Sequence, residues 1–244
     1  MMKHSTNRLV TVVTVVACTF LPACTSTEPK KDPYNLFREL MPRSILVLPP
    51  INESVDVNAT YSWLTTATRP IAEKGFYVYP VAVMDEFMKE NGLQHPEDMH
   101  AAPLNRLGEI FGTDAVMYVT IEDYGQKFEL TQSRTAVVVR AELVDVKTGQ
   151  SFWKNRVDYS NYSSGNAVSD LPGAIITAAV AQIGETISDA AHDATRLANV
   201  ELLDSRRSGL LLGPLHPGFE EQRAVAAAET AAIEAQDAQS LMPH

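Results

Sequence analysis

Ile45-Leu46-Val47-Leu48 is apolar at every position, and Pro49-Pro50 stop it at once. The run is too short for a buried helix, and its lack of polar alternation leaves it no face to turn to water. It predicts a central strand covered on both sides. Such a strand needs helices above and below a sheet, which sets the class at α/β.

The neighbouring stretches supply those layers. Asn52 to Ala59 reads as a polar loop, and Thr60 is placed to cap a helix running to Lys74, with Trp63, Leu64, Ala67 and Ile71 on one side and Gly75 as its stop. Pro70 inside that helix should kink or divide it. Phe76 to Pro80 predicts a second strand, Val81 to Glu90 a helix ended by Asn91-Gly92, His95 to His100 a loop, and Leu104 to Phe111 a short helix closed by Gly112. Ala115 to Ile121 reads as a third strand, closed by Glu122-Asp123. Arg134 to Val146 and Phe152 to Tyr159 then alternate, joined by Lys147-Thr148-Gly149-Gln150, which makes a hairpin with Arg140, Glu142, Lys154, Arg156 and Asp158 on a wet face.

A long helix capped by Ser169 or Asp170 is expected to reach about Asn199. Its stripe is Leu171, Ile175, Ala179, Ile183, Ile187, Ala190, Ala194 and Leu197. The expected architecture is a mixed sheet with helices packed on it, plus a long carboxy-terminal helix. Residues 206–244 read as a loop and an Ala- and Glu-rich tail, weakly docked, because Val225 and Ile233 are its main large apolar side chains.

The amino terminus has a different logic. Lys3 and Arg8 precede a thirteen-residue apolar core, Leu9 to Leu21. That is short of the roughly 20 residues a membrane-spanning helix needs, and it suits a secretory signal. Leu21-Pro22-Ala23-Cys24 follows, with Leu and Ala at −3 and −1 of a cysteine, as in a bacterial lipobox. Residues 1–23 are therefore expected to be removed, and Cys24 to carry diacylglycerol, with two or more acyl chains giving stable anchoring. Residues 24–43, punctuated by Pro29, Pro33 and Pro42, read as a tether. Within it Tyr34, Leu36, Phe37 and Leu40 have helical spacing and can dock on the domain that follows, residues 44–205.

Of 244 residues, 45% are hydrophobic and 20% charged, a globular composition. Without the signal, 18 Lys and Arg face 30 acidic residues, a net of −12. An acidic body argues against nucleic acid, whose binding runs on neutralised phosphates. With Cys18 in the signal and Cys24 acylated, the domain has no cysteine for a disulfide, a thiolate nucleophile or a metal.

Candidate chemistry is sparse. His95 and His100 flank Glu97 and Asp98, but their spacing lacks a third ligand, and a solvated loop is the better reading. His192 is expected at the polar edge of the long helix, and His216, between Leu215 and Pro217, in a turn. Glu122 and Asp123 could do acid–base work or hold Ca²⁺ only if a bulge brought them to one side, since adjacent strand residues point to opposite faces. No G-x-S-x-G, H-E-x-x-H, phosphate loop or G-x-G-x-x-G occurs. No cofactor, metal site or catalytic residue is assigned. Asn52 and Glu53 lie outside a strand end, where α/β folds place ligand loops. Tyr77 and Tyr79 share a strand face and, with Phe76 and Val78 buried, would form a partner surface. These four are the candidate partner-binding residues.

Several segments together resemble one family of Gram-negative lipoproteins, the domain of unknown function 799 group that includes neisserial surface lipoproteins. The segments are Pro42 to Pro50, Gly75 to Pro80, Met84-Asp85-Glu86-Phe87, Phe111 to Val116, and Leu143 to Gly149 with Trp153. The strand–helix–strand order and the Asp-x-x-Thr-Gly hairpin are also similar to the amino-terminal domain of the translocation protein TolB and to the curli secretion lipoprotein. The resemblance implies a non-enzymatic, membrane-tethered binding or assembly subunit, with other envelope proteins or its own copies as partners, and Thr25 rather than Asp after Cys24 resembles the Gram-negative sorting pattern for the outer membrane, facing the periplasm. The alternative it implies is an accessory or pore subunit of a curli-like export channel, for which Thr131 to Tyr162 is the segment able to insert.

Overall fold

The computed structural model describes residues 32–128, 133–163 and 176–240. The expected signal, Cys24 and the expected tether up to residue 31 lie outside them. The chain divides into two units, Met1–Pro33 and Tyr34–His244, and every element below belongs to the second.

In chain order these are α1 (Asn35–Leu40), β1 (Ser44–Val47), β2 (Ile51–Asn52), α2 (Ala59–Glu73), β3 (Tyr77–Val78), α3 (Val81–Glu90), α4 (Pro96–His100), α5 (Leu104–Phe111), β4 (Ala115–Phe128), β5 (Ser133–Asp145), β6 (Ser151–Ser163), α6 (Ile176–Asp204) and α7 (Phe219–Ser240). The sheet runs β3-β1-β4-β5-β6, with β2 also on β4. β1 is parallel to β3 and β4, while β4, β5 and β6 form an antiparallel meander. The fold is the expected mixed sheet with helices packed on it and a long helix late in the chain.

Residues 45–48 behave as their composition demands. Ile45 and Val47 point into one core with Phe37, Trp63, Ala67, Ile71, Ala198 and Leu202 from α1, α2 and α6. Leu46 and Leu48 point into another, with Met84, Met88, Met99 and Leu107 from α3, α4 and α5. Pro49 and Pro50, lacking N–H groups, interrupt the pairing, which resumes where Ile51 and Asn52 meet Thr120 and Ile121. Asp114 closes the start of β1, its Oδ2 accepting Arg43 N–H at 2.9 Å, Ser44 N–H at 3.1 Å and the Ser44 hydroxyl at 3.1 Å.

Five expectations need correction. α2 starts after Asn58, which makes no side-chain capping bond, and the Thr60 hydroxyl, inside the helix, donates to Pro50 O at 3.2 Å. Pro70 does not divide α2, because it sits in the last turn, with little helix beyond it to disrupt. Residues 96–100 are helical rather than a loop, since Pro96 preorganises the first turn and Glu97 and Asp98 suit its positive end. In α6 the buried face is Ala191, Ala194, Thr195, Ala198, Asn199 and Leu202, which leaves Leu197 exposed. Its Ala179, Ile183 and Ile187 side chains, and Leu171 and Ile175, lie outside the described residues.

The fifth correction concerns the third strand, which does not close at Glu122-Asp123 but runs to Phe128. Ile121 pairs with Val139 and Asp123 with Val138, so Glu122 is an extra residue, a β-bulge. Before it the odd positions Ala115, Met117, Val119 and Ile121 face the large core. After it the even position Tyr124 does. The bulge keeps an apolar side chain under α2 although the alternation has slipped by one.

The meander's two faces differ. Val137, Val139, Ala141 and Leu143 lie in the large core with α6 residues Ala191, Ala194 and Ala198. On the other face Glu122 binds Arg156 at 2.8 Å and Arg140 at 3.6 Å, and Glu142 binds Lys154 at 2.9 Å. Between β5 and β6, Asp145 Oδ2 accepts both Thr148 N–H and its hydroxyl at 2.7 Å. α7 is a helix with little apolar surface to bury. Ala226 is covered, Val225 and Ile233 are exposed, and Gln222 Oε1 accepts Leu212 N–H at 2.9 Å.

Candidate partner-binding surface

β3 is the outermost strand, so its side chains emerge where the sheet ends. Phe76 is buried as expected, Val78 is only partly buried because it lies on the outermost strand, and Tyr77 stands 52% exposed. The Tyr77 and Tyr79 rings meet edge to face at 5.0 Å between centroids. Tyr79 is half-buried, and its hydroxyl donates to Phe111 O at 2.7 Å, the last residue of α5. Burial pushes its phenol pKa up. The contacts continue from Tyr79 to the Phe111 ring at 6.1 Å and from Phe111 to Phe87 at 5.5 Å. Val83, one turn before Phe87 on α3, is 67% exposed, and Ile110 on α5 is 54% exposed. Two tyrosines read from the strand pattern thus belong to a larger aromatic surface.

The sequence carried a signal for the rest. α3 has two apolar pairs at i, i+4, Met84/Met88 and Val83/Phe87, and one helix face buries only the first.

Beside this surface lies a groove of about 640 Å³. One wall is α2, with Tyr61, Leu64, Thr65, Thr68 and Arg69, and the other is α3, with Val81, Ala82, Asp85 and Glu86. Val78, Tyr79 and Pro80 form its floor, so Tyr79 belongs to both features. Arg69 is held by Glu73 at 2.7 Å and Asp85 by Lys89 at 2.6 Å.

Asn52 and Glu53 are not brought to this surface, because Tyr77 pairs with Ser44 at the start of β1 and Asn52 follows its far end. Asn52 Oδ1 accepts Ser54 N–H at 3.0 Å and the Ser54 hydroxyl at 2.7 Å, and its amide donates to Asp56 O at 2.7 Å. These bonds shape the loop and use most of what the side chain can offer. Glu53 is exposed.

The other sequence candidates resolve into structure. Glu122 and Asp123 are held by Arg156 and by Lys127, the latter at 2.7 Å. Among the described residues no three His, Cys, Asp or Glu are grouped to hold a metal ion. His216 sits in its turn, accepting Gly218 N–H at 2.9 Å. His192 Nδ1 lies 3.1 Å from the Ser62 hydroxyl oxygen, which also accepts Tyr124 O–H at 2.8 Å. This contact, absent from the sequence reading, bridges α2, β4 and α6.

His100 is half-buried rather than solvated. Its Nε2 is 2.9 Å from Pro49 O, and its ring meets Tyr118 edge to face at 5.3 Å. Burial pushes its pKa below the usual histidine value, against the smaller upward pulls of Pro49 O and Glu97. The unfolded chain then takes up a proton more readily than the folded one. This contribution to stability is complete above the unfolded pKa of about 6.5 and is lost as pH falls toward the folded value. In urea melts between pH 7.5 and 5, the wild type should lose more stability than His100→Gln, whose other titrating groups are the same. Parallel losses would refute the assignment.

Three comparisons place the chain among known proteins. Residues 32–215 match the family described as "Putative lipoprotein GNA1162-like". A lipoprotein of Neisseria meningitidis serogroup B, "Putative lipoprotein NMB1124/NMB1162", is 37% identical over 204 residues, covering 83% of this chain and 94% of that protein. The crystal structure of lipoprotein GNA1162 from Neisseria meningitidis is 41% identical over 59% of this chain and 99% of that one, with a TM-score of 0.49. The PelC dodecamer of Paraburkholderia phytofirmans aligns over 51% of this chain and 75% of its own at 16% identity and a TM-score of 0.35. With most of its folded residues inside the family match, this chain belongs to the GNA1162-like lipoprotein family.

Proposed function

We propose that the chain is a non-enzymatic cell-envelope lipoprotein, held by acyl groups on Cys24 at the periplasmic face of the outer membrane. Its α/β domain binds another envelope protein or assembles with its own copies. The observation that carries this reading is the cluster in which exposed Tyr77, Phe87, Val83 and Ile110 surround the half-buried rings of Tyr79 and Phe111. Contiguous aromatic and aliphatic exposure marks interaction sites, and tyrosine and phenylalanine are favoured at the centres of interfaces. Family membership supports the lipid anchor, and the Leu21-Pro22-Ala23-Cys24 lipobox supplies its attachment point. Among the described residues no helix is long and apolar enough to cross a membrane. The pore alternative draws no support from the meander, because the apolar residues of β5 already lie against α6.

The test uses intact cells. Tyr77 is replaced by photoreactive p-benzoylphenylalanine, in wild-type and Cys24→Ser backgrounds. The expected result is a discrete crosslinked species identifiable by mass spectrometry, with the Cys24→Ser protein released from the membrane fraction and lacking fatty-acid mass. No adduct from Tyr77 removes the partner surface. Membrane retention of Cys24→Ser with unchanged mass removes the anchor.

A further inference from the structure

Resting on that reading, we infer that the groove between α2 and α3 takes an extended, basic peptide segment of the partner protein, which adds to the sheet as a strand beside β3. The backbone supports this. Tyr77 N–H bonds to Arg43 O at 2.8 Å, so the peptide groups of Tyr77 face β1. In a parallel ladder the next residue turns its N–H and C=O the other way. Those of Val78 point out from the end of the sheet, and Val78 lies in the floor of the groove.

On the same flank the 213–215 segment bonds only as far as Gly75, through Gly213 N–H to Lys74 O at 2.7 Å and Leu215 N–H to Gly75 O at 3.0 Å. Beyond it the flank opens into the groove. α2 and α3 stand on opposite faces of the sheet at this edge, because Trp63 and Ile71 enter one core and Met84 and Met88 the other. They therefore wall a slot lying along the strand direction. A volume of about 640 Å³ accommodates several residues of extended chain. Strand addition of this kind draws affinity from main-chain bonds and selectivity from alternate side-chain pockets.

Charge selects the occupant. Arg69 is neutralised by Glu73 and Lys89 by Asp85. Glu86, exposed on the α3 wall, has no ion-pair partner among the described residues, so the unbalanced charge of the groove is negative. The whole chain is also acidic, at −10. The partner segment carries a Lys or Arg to meet Glu86 and apolar side chains to cover Val78 and Ala82.

The probe is a fluorescein-labelled Lys-Val-Thr-Val-Thr-Lys peptide, titrated by polarisation against the full chain in detergent micelles. Saturable binding is expected, with slowed hydrogen exchange at the Val78 amide. A peptide with Pro in place of its second Val, which cannot complete a strand pair, should bind at least ten-fold more weakly. Ala82→Trp, which fills the slot, and Val78→Pro, which removes the outward N–H, should each cause a similar loss, with circular dichroism checking that both fold. Glu86→Lys should turn preference toward the peptide bearing Glu at both ends.

No saturable binding below about 1 mM, an affinity worth only about 4 kcal/mol, would overturn the inference. So would binding indifferent to Ala82→Trp, or a concentration-dependent dimer that Ala82→Trp abolishes, since a second copy would then fill the slot. A Tyr77 crosslink in cells without peptide binding would leave the partner surface standing and remove the groove. Loss of both would remove the wider reading.

Discussion

Phe37→Ala should cost about 3–5 kcal/mol of folding stability, the range for deleting a fully buried phenylalanine. Phe37 has no solvent exposure, stacks on Phe152 at 5.1 Å and leans on Phe76 at 6.3 Å. It is the buried residue of α1, a six-residue helix far too short to persist alone. Tyr34 adds one bond, its hydroxyl donating to Gly209 O at 2.7 Å. The loss should appear in urea titration as a lower midpoint with an unchanged slope. Cleavage after Arg38 by trypsin should also accelerate, because α1 loses the side chain that fixes it to the sheet. A change below about 1 kcal/mol, within the ordinary surface range, would mean that α1 is not part of the cooperative fold.

Gly75→Ala is the second large effect. Gly75 has φ +88, and an added Cβ would lie 2.8 Å from His216 Cα and closer still to its backbone nitrogen. Positive φ costs an L-residue about 1–3 kcal/mol, and forcing packed backbone apart costs a similar amount. The expected loss is about 2–6 kcal/mol in total, through displacement of the segment that bonds to Lys74 and Gly75. Gly92 supplies the control, because it has φ +90 with nothing within 4 Å of its added Cβ. Gly92→Ala should show the dihedral cost alone. Equal losses at the two sites, measured by the same urea titration, would show that the 213–217 segment is loosely held.

Much of the fold was legible because it rests on local pattern. Residues 45–48, α3 and α5 follow from continuous apolarity, Asn-Gly and Gly stops, and Pro at the helix start. The meander from Arg134 to Tyr159 follows from alternation. What escaped depends on partners distant in the chain. The slip at Glu122 is defined only against Val138 and Val139 on the neighbouring strand. The buried face of α6 includes Asn199, whose amide donates to Thr66 at 2.8 Å, a polar contact that an apolar stripe cannot announce. The candidate surface was half legible for the same reason. Tyr77 and Tyr79 are two residues apart, in β3 and just past its end, whereas Phe111 joins them only after α5 returns to the sheet.

The extra residue at Glu122 makes β4 a chain with a parity rule. Upstream of it the odd numbers face the large core, and directly downstream the even-numbered Tyr124 does. An insertion or deletion of a single residue directly after Asp123 would turn Tyr124 away from the large core and exchange the faces of the rest of β4. Relatives that vary in length there must therefore do so by twos, or abandon the bulge in the same step. A protein engineer lengthening this ribbon inherits the same arithmetic.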